Sequence, residues 1–478
     1  MAGSILTGTF AAFQVLYFAS LAVVIYFYTR PVDWVEMDDL RADPFLRFPD
    51  IMLLYPVLRE AEETMRTTLV ALAEMDYPRE RYRVVSIPNH DDVQTIESLR
   101  RLQREFPFLE ILPVPPTSDP SWSVVWAEWD ANPKAYWWHV GKRTGSTALP
   151  PKKTRQLVYA MYSLFTENDG NSLLSYIDAD SAPPKSLFRA AAVGIRRYDV
   201  LQSTNVAGNL LRTWASSWHS MDHMCWDGSL YPHLSDHGRQ PYWVLGKGLF
   251  FKVTDLFTLG GFNPWLTIED PEVGMRLWAN GRKIGMIHDP LIEEVPETIR
   301  GGITQRKRWV CGFFQSLHAP LRLMGMSFRQ RVRARLNFVP CLSLLANPIG
   351  LATGGWAIYQ ITQGDSPVTT PLVVLCVANV VAALVVLSIM LAVAWKRTRL
   401  VLSRRRQRLA FLFRVNPVFL LIYWTIWTVP ILIGFQMFLR DRGQVWERTE
   451  KIDANHELVR VTAHGPSVEE ERVAAGDR

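Results

Sequence analysis

Cysteine is scarce in this sequence, and no two cysteines lie close together along the chain. Four are present among 478 residues, at Cys225, Cys311, Cys341 and Cys376. Two of them lie in or beside apolar segments. The small number of cysteines in a long chain argues against a disulfide framework, and the lack of a close pair argues against a structural zinc site. This pattern is typical of a protein in a reducing compartment such as the cytosol.

The sequence also lacks a recognised nucleic-acid-binding motif, although its formal net charge is +6. We therefore expect no nucleic-acid partner. The position of the positive charge favours a different surface, because a basic cluster follows directly after an apolar segment. Such a cluster is typical of a cytoplasmic loop that meets anionic membrane lipids. It consists of Lys396, Arg397, Arg399, Arg404, Arg405, Arg406 and Arg408.

Charged residues are absent from Ile5 to Tyr28, a run that is long enough to cross a bilayer. A cleaved signal peptide is the alternative, but no basic region precedes the run and no small-residue cleavage site follows it. The pattern therefore predicts a retained transmembrane helix in residues 1–30, with Arg30 on its cytoplasmic side.

Two further apolar runs, Leu336 to Gln360 and Pro371 to Trp395, each have about the length of a membrane span. The short polar connector between them predicts a transmembrane hairpin. Asn416 to Leu439 is also apolar, but Pro430 interrupts it and basic residues flank both ends, so a spanning helix and an interfacial helix both stay open. The predicted domains are residues 1–30, a transmembrane helix; 31–326, a cytoplasmic catalytic domain ending in an amphipathic interface helix; 327–440, the hairpin, the basic loop and the further apolar helix; and 441–478, a polar tail.

Strand and helix patterns alternate in the globular region that follows the first apolar run. Short apolar runs bounded by breakers predict strands, and their alternation with helical segments predicts an α/β fold with a mostly parallel sheet. Ligands of such sheets bind beyond the carboxyl ends of the strands. The predicted strands are Ile51–Tyr55, Tyr82–Ile87, Leu109–Leu112 and Leu173–Ile177, and the predicted helices are Glu60–Met75 and Leu99–Phe106.

Pairs of aspartates follow two of the predicted strands. Asp178 and Asp180 come just after a strand, and alternate residues of extended backbone face the same side. Two carboxylates placed in this way could hold Mg²⁺ or Mn²⁺ against a diphosphate, whereas the structural alternative is a solvated acidic turn. Asp91 and Asp92 could bond to a nucleotide base or ribose, and their structural alternative is a polar loop or a helix cap.

Glu269 and Asp270 precede a segment with helical periodicity. Acidic residues are favoured in the first turn of a helix by its dipole, which is the structural explanation. The functional interpretation makes Asp270 a general base that removes the proton of an acceptor hydroxyl.

Gln305, Arg308 and Trp309 have the spacing i, i+3, i+4 and therefore share one helical face. Arg308 could neutralise a departing diphosphate, Gln305 could add a hydrogen bond, and Trp309 could stack on a sugar ring. The structural alternative is an amphipathic helix at the membrane surface, with Arg306, Lys307 and Arg308 on lipid headgroups and Trp309 in the aromatic belt.

Two pairs of histidines at i, i+4 spacing raise the question of a zinc site. Tryptophan and tyrosine surround them, and we interpret the segment as packing or as the lining of an acceptor channel. The histidines are His219, His223, His233 and His237.

Taken in order, these motifs resemble those of the membrane-bound family-2 glycosyltransferases, the group that includes the cellulose, chitin and hyaluronan synthases. The resemblance covers about Ile51 to Lys451. It extends to Arg59-Glu60, to the segment Lys153–Met161, to Glu293-Glu294-Val295-Pro296 and to a terminal segment Trp446–Lys451. It implies a GT-A (Rossmann-like) domain inserted between transmembrane helices, a UDP-activated donor, inversion at the anomeric carbon and a divalent metal, Mg²⁺ or Mn²⁺.

The resemblance also assigns roles to individual residues. It implies that Glu269 and Asp270 are catalytic, that Asp178 and Asp180 bind the metal and that Trp309 binds the acceptor. The residues implied for the donor nucleotide are Asp91, Asp92, Lys153, Asp178, Gln305 and Arg308.

Three functions follow as alternatives. The first is a processive polysaccharide synthase, the second is an enzyme that transfers one sugar to a lipid-linked acceptor, and the third is a non-catalytic membrane scaffold. The expected partners are a UDP-sugar, a glycan or lipid-linked acceptor and membrane lipids. A second copy or a partner membrane or export protein would supply further helices for a channel. We expect a multi-pass protein of the plasma or inner membrane with its catalytic domain in the cytoplasm.

Overall fold

The computed structural model has an α/β domain that packs beside a group of apolar helices. The predicted polar tail lies outside the described residues apart from Asp441, and so does the segment Trp446–Lys451. The described residues are 2–35, 48–140, 146–165, 170, 172–235, 246, 248–336, 345–364 and 369–441.

A mostly parallel sheet organises the α/β domain. Its strands are β1 (Trp34–Val35), β2 (Asp50–Tyr55), β3 (Tyr82–Ser86), β4 (Leu109–Ile111), β5 (Ser172–Tyr176), β6 (Val200–Gln202), β8 (Leu249–Lys252) and β9 (Ile284–Ile287), while β7 (Asn205–Ala207) pairs with β10 (Leu291–Glu293). The order across the large sheet is β1-β9-β6-β8-β5-β2-β3-β4. Among the described strands, β8 alone runs antiparallel to its neighbours.

Helices connect the strands and continue into the apolar part of the chain. A π-helix, His223–Leu230, interrupts the series after the eighth of them. In chain order the α-helices are α1 (Ala2–Tyr28), α2 (Glu62–Ala73), α3 (Val93–Glu105), α4 (Ser123–Ala131), α5 (Tyr136–His139), α6 (Lys153–Leu164), α7 (Leu187–Gly194), α8 (Trp214–Asp222), α9 (Tyr231–Ser235), α10 (Val253–Thr258), α11 (Asp270–Ala279), α12 (Ile299–Leu317), α13 (Phe328–Leu336), α14 (Asn347–Thr362), α15 (Thr370–Arg397), α16 (Arg405–Arg414), α17 (Pro417–Ile426) and α18 (Thr428–Leu439).

The sheet buries apolar side chains on both faces, as a parallel sheet between helices requires. Successive residues of a strand point to opposite faces. Leu53 accordingly joins a cluster with residues of α2, α3 and α7, whereas Leu54 joins a second cluster with residues of α4, α6 and α10. The predicted α/β architecture with helices on both faces is therefore confirmed.

The predicted strands are found within one residue of their expected bounds. The helix predicted from Leu99 begins earlier, at Val93, because the carboxylate of Asp92 caps it by accepting a hydrogen bond from Thr95 N at 3.4 Å. The first turn contains the polar residues Gln94 and Thr95, so the hydrophobic periodicity used for the prediction does not indicate this start.

The carboxyl end of β5 lies at the edge of the sheet where the functional segments meet. Asp178 follows β5 by two residues at this edge. Strand β8 runs the opposite way beside β5, so its beginning lies at the same edge and brings Gly246 there. The sheet topology thus gathers segments that are far apart in sequence.

Three helical segments in the described part of the chain are long and apolar enough to cross a membrane: Gly3–Tyr28, Thr370–Leu400 and Pro417–Leu439. The first two coincide with predicted spans. Helix α14 lies at the end of the run predicted from Leu336 to Gln360 and continues two residues beyond it.

Helix α1 packs against both α14 and α15. Asn379 Nδ2 in α15 donates hydrogen bonds to Gln14 O at 3.0 Å and to Gln14 Oε1 at 2.7 Å. The ring of Phe13 in α1 lies against Gly350 in α14. A Cβ on Gly350 would come within 2.3 Å of that ring. These contacts hold the first apolar helix to the two later ones.

The last apolar segment is two helices, because α17 ends at Ile426 and α18 begins at Thr428. Proline lacks a backbone N–H and its ring clashes with the carbonyl four residues earlier, which for Pro430 is Ile426. Helix α18 then lies directly along α12. A Cβ on Gly434 would come within 2.6 Å of Lys307 O and 2.7 Å of Val310 Cβ.

A buried ion pair in α11 gives a test of this fold. Glu272 Oε1 accepts a hydrogen bond from Arg276 Nε at 2.7 Å, and the two side chains are 0% and 2% exposed. Glu272→Gln would leave the charge of Arg276 buried without its counter-charge. We expect the free energy of unfolding to fall by about 3–5 kcal/mol, measured in detergent by denaturant titration with tryptophan fluorescence.

The control is Glu110→Gln, which breaks an ion pair with Arg83 whose side chains are 44% and 51% exposed. Solvent screening limits its loss to about 1 kcal/mol or less. Equal losses in the two variants would contradict the buried placement of Glu272.

Candidate active site

A cleft of about 190 Å³ opens at the sheet edge described above. Its walls come from the segment after β5, the starts of α6 and α11, the segment after β10 and one face of α12. All the predicted site residues except Asp91 and Asp92 line it, namely Lys153, Asp178, Asp180, Glu269, Asp270, Gln305, Arg308 and Trp309.

The turn that carries Asp178 and Asp180 is held from below by two hydroxyl groups. Tyr55 Oη and Thr68 Oγ1 both donate hydrogen bonds to Ala179 O, at 2.8 and 2.9 Å. Asp180 is buried, and its Oδ2 accepts a hydrogen bond from Glu294 N at 3.1 Å. Asp178 is 43% exposed and faces the cleft. The two carboxylates therefore line the same cleft, with Asp178 partly exposed and Asp180 buried.

Lys153 joins the acidic segments through its ammonium group. Its Nζ lies 2.9 Å from Asp178 Oδ1 and 3.4 Å from Glu269 Oε1, and 4.9 Å from the centre of the Tyr176 ring. Burial opposes the charge of this group, but Asp178, Glu269 and Asp270 outweigh burial and raise the pKa of Lys153. The lysine therefore remains a cation and offsets the repulsion among the carboxylates.

Asp270 is the first residue of α11, and Glu269 is its N-cap. The loop before them is fixed on both sides. Lys152 Nζ donates to Leu266 O at 3.1 Å, and Thr267 N donates to Gln315 Oε1 in α12 at 2.8 Å. The position of Asp270 relative to α12 is therefore set by direct bonds.

The carboxyl group of Asp270 is in an environment that suits a base. Its Oδ1 is buried and has no hydrogen-bond partner within the described residues. Burial, and next the charge of Glu269, raise the pKa of Asp270 well above the ordinary carboxyl value, while Lys153 opposes them. A carboxylate of raised pKa accepts a proton more strongly than an ordinary one.

Gly246 lies directly against the carboxylate of Asp270. Its φ of +67° is in the left-handed region, which glycine adopts without strain. A Cβ at this position would come within 2.6 Å of Asp270 Oδ2. Only a residue without a side chain leaves room for that carboxylate.

Helix α12 forms the wall opposite the acidic segments. Gln305, Arg308 and Trp309 lie in this helix and all face the cleft, as their spacing predicts. Arg308 is 8% exposed. Gln305 Oε1 is buried without a hydrogen-bond partner in the described part of the chain. A bound ligand would satisfy such an acceptor.

The membrane-surface interpretation of this helix is wrong for two of its arginines. Arg306 and Arg308 are 2% and 8% exposed, so neither reaches lipid headgroups. Arg306 instead pairs with Asp222.

The donor set fits a metal that is shared with a substrate. Among the described residues no group of three or more His, Cys, Asp or Glu side chains is arranged to hold a metal ion. Mg²⁺ commonly binds through one or two carboxylates together with substrate phosphates. Asp178 and Asp180 provide oxygen ligands of that kind on the wall of the cleft.

Asp91 and Asp92 lie outside the lining of the cleft. The side chain of Asp91 is 69% exposed beside His90. Asp92 accepts hydrogen bonds from Arg59 N at 2.6 Å and from Thr95 N, so it acts as the helix cap that was the structural alternative. Their role in nucleotide binding stays a prediction.

The cleft is also lined by residues outside the predicted site set, among them His223, Glu293 and Glu294. Glu293 Oε2 accepts from Asn205 Nδ2 at 2.5 Å. His223 Nδ1 lies 2.9 Å from Asp227 Oδ2, and its ring is edge-on to Trp309 at 6.0 Å. Glu293 is the last residue of β10 and Glu294 follows it. The signal for both is the segment Glu293-Glu294-Val295-Pro296, which is part of the family resemblance.

The described histidines do not form the zinc site considered above. His219 and His233 bond to backbone carbonyls of Thr298 and Arg30, and His223 bonds to Asp227. His237 lies outside the described residues.

A family model described as Glycosyl transferase family group 2 matches residues 173–439, which is more than half of the chain. The chain belongs to this family. The predicted family and enzyme class are confirmed at this level.

Two relatives extend the comparison. The chain is 21% identical over 300 residues to the probable glycosyltransferase YdaM of Bacillus subtilis, and the match spans 61% of this chain and 60% of that protein. Among solved structures it resembles the mannosyltransferase PcManGT of Pyrobaculum calidifontis, in complex with GDP-Man and Mn²⁺, with a TM-score of 0.54 and 16% identity over 91% of this chain and 99% of the other. That similarity confirms the predicted GT-A fold.

Gly246→Ala tests the contact between Gly246 and Asp270. The added Cβ would push the carboxylate away, and we expect sugar transfer to fall by at least about a hundredfold, because small displacements of reacting groups cost that much. Transfer is measured with purified protein and a radiolabelled sugar nucleotide.

The matched control is Gly281→Ala. Gly281 has a similar φ of +78°, but a Cβ there would meet nothing within 4 Å. Both variants carry the same backbone strain, about 1–3 kcal/mol, so a comparable loss of transfer in both would attribute the effect to strain and not to Asp270.

Proposed function

We propose that this protein is an inverting glycosyltransferase that uses a UDP-sugar to extend a glycan at a membrane surface. The observation that supports it is the cleft itself. Acidic segments after β5 and before α11 face Gln305, Arg308 and Trp309 of α12 across one cavity. Carboxylates, a forked cation and an aromatic plane are what a sugar diphosphate and a sugar acceptor need.

The proposed reaction is a single displacement. Asp270 accepts the proton of an acceptor hydroxyl, whose oxygen attacks the anomeric carbon from the face opposite the diphosphate. The bond from that carbon to the diphosphate oxygen breaks as the new glycosidic bond forms. The electron pair leaves with the nucleoside diphosphate, and the configuration at carbon inverts.

Arg308 and Gln305 act on the leaving group in this proposal. Arg308 is nearly buried, and a guanidinium in such surroundings stabilises developing phosphate charge more than one in water. A divalent ion held by Asp178 and Asp180, when bound, supplies further neutralisation of the diphosphate. The charge of Glu269 raises the pKa of Asp270, and the ammonium group of Lys153 opposes that effect. Trp309 offers its ring to a sugar of the acceptor.

A membrane location for the acceptor is supported by the apolar helices. The exposed side chains of α15 include Val374, Val377, Val381 and Leu384, all more than half exposed. Such a surface is stable in lipid and unfavourable in water. The basic residues that follow α15 favour the cytoplasmic leaflet, and the catalytic domain would lie on that side of a plasma or inner membrane.

The base of the donor nucleotide is proposed to be uracil. The resemblance implies uridine, whereas the mannosyltransferase structure contains GDP-Man. Asp91 and Asp92 are proposed to lie near the base, within a donor site that extends beyond the cleft. A panel of UDP-glucose, UDP-GlcNAc and GDP-mannose, each with and without Mn²⁺, identifies the donor.

Transfer of a single sugar to a lipid-linked acceptor is the second candidate. In the described part of the chain, one of the three apolar segments long enough to cross a membrane lies along α12. Few helices remain to enclose a channel for a growing polysaccharide. A processive enzyme would then need a second copy or a partner protein to complete the channel.

Replacement of the proposed base gives a direct test of the mechanism. Asp270→Asn keeps the shape of the side chain but removes its basicity, and we expect the turnover number to fall by about a thousandfold or more. The dissociation constant for UDP, measured by tryptophan fluorescence, should change by less than about threefold. Asp76→Asn, which alters an exposed carboxylate paired with Arg189, is the control. Retained turnover in Asp270→Asn would refute the assigned base.

Product length separates the two candidate functions. Purified protein is incubated with the active labelled donor, membrane lipid and acceptor, and the products are resolved on a gel. We expect a ladder of long glycans from a processive enzyme, since Trp309 would hold each new end. A single labelled lipid product would establish the second candidate.

A further inference from the structure

Arg306 is an arginine in α12 that does not face the cleft and is nevertheless almost completely buried, with 2% exposure. Its neighbours in sequence, Gln305 and Arg308, line the cleft. Arg306 Nε and Nη2 both donate to Asp222 Oδ2, at 2.8 and 2.5 Å. Asp222 is the last residue of α8, so this ion pair joins α12 to a second helix of the catalytic domain.

The same carboxylate oxygen binds the last apolar segment. Tyr423 Oη in α17 donates a hydrogen bond to Asp222 Oδ2 at 2.6 Å. The guanidinium of Arg306 also lies over the rings of Tyr423 and Trp427, at 5.7 and 5.4 Å. One buried charge pair therefore connects α8, α12 and the segment formed by α17 and α18.

Arg306 also contacts a residue of the cleft. Its guanidinium lies over the ring of Trp309 at 5.3 Å from the ring centre. Helix α12 makes a second close contact at Gly302, one turn before Arg306. A Cβ on Gly302 would come within 2.2 Å of the ring of His219. The ring of His219 in turn lies 5.5 Å from the ring of Tyr423. Rotation of α12 about its axis would break both sets of contacts.

A buried ion pair is a poor source of stability, because the loss of hydration offsets most of the attraction. It is, however, selective for one arrangement, since any movement that separates the charges leaves both buried without a partner. Hydrophobic contacts alone, such as those along Gly434, would allow α12 to slide or rotate by small amounts.

We propose that Asp222, Arg306 and Tyr423 form a positioning cluster that sets the orientation of Trp309 and Arg308 in the cleft. The last apolar segment is then a component of the active site as well as a membrane attachment. This inference rests on the proposed glycosyl transfer. The three residues are positioning residues, because their contacts are with Trp309 and the helix and not with the reacting atoms.

Displacement of this cluster should change how much of the donor is hydrolysed by water and how much is transferred to the acceptor. If Trp309 is displaced, the acceptor sugar is held less well and water competes at the anomeric carbon. Tyr423→Phe removes one hydroxyl group and keeps the ring. We expect the ratio of donor hydrolysis to sugar transfer to rise about tenfold, since misplacement of a bound reactant by a fraction of an ångström has effects of this order.

The experiment uses the full chain in detergent and the donor selected from the panel of UDP-glucose, UDP-GlcNAc and GDP-mannose. Nucleoside diphosphate released and sugar incorporated are measured in the same reaction, and the affinity for UDP is measured separately. Asp222→Asn is a second, stronger variant. Tyr359→Phe is the matched control, because it removes a hydroxyl from a 58% exposed tyrosine on α14.

The outcomes separate this inference from the proposed function. A raised ratio in Tyr423→Phe, with unchanged UDP affinity and an unchanged Tyr359→Phe control, supports the cluster. If hydrolysis and transfer fall in proportion, their ratio is unchanged and the variant has only lost folded protein. That result overturns the positioning role, and so does an unchanged ratio without any loss of activity. If the unmodified protein transfers no sugar from any of the three donors, the proposed function fails, and the positioning role fails with it.

Discussion

One partly buried ammonium group, that of Lys153, lies among the carboxylates of the acidic cleft, and its side chain is 18% exposed. Lys153 lies at the start of α6 and reaches Asp178 after β5 and Glu269 before α11. Without a cation among them, three carboxylates at this distance would repel one another and take up protons. With the ammonium group of Lys153 between them, the segment after β5 and the start of α11 can both approach the start of α6.

The opposite wall of the cleft depends on a different interaction. Helix α12 is bound to the loop before Glu269 through Thr267 and Gln315, and to the last apolar segment through close contact at Gly434. The helix that lines the cleft is therefore also the helix that packs against the last apolar segment.

Sequence patterns were sufficient for the parts of the site that depend on local geometry. Asp178 was placed by its position after a buried strand, and Gln305, Arg308 and Trp309 by helical spacing. Both rules describe neighbours along the chain, and the structure brings these residues to one cleft. The family model confirms the predicted family, and the roles of these residues stay predictions.

The failures of sequence reasoning share one physical cause, which is contact between distant segments. The environment of Arg306 depends on Tyr423, more than a hundred residues later, and no periodicity in α12 reveals that another helix covers it. The contact of Gly246 with Asp270 arises only when β8 is laid antiparallel to β5. Asp92 caps α3 through Thr95 N, and its carboxylate also accepts a hydrogen bond from Arg59 N, 33 residues earlier, which no local pattern indicates.

The contrast between Arg306 and Arg308 follows from helix geometry. Successive residues of an α-helix are rotated by about 100°, so residues 305, 308 and 309 fall within about 100° of arc, and residue 306 lies about 60° beyond it. That offset turns one arginine into the cleft and the other towards Asp222. A helix with a ligand site on one face and a buried ion pair on the adjacent face has a single acceptable rotation. The same short motif can therefore supply both the groups that meet a substrate and the group that fixes their direction.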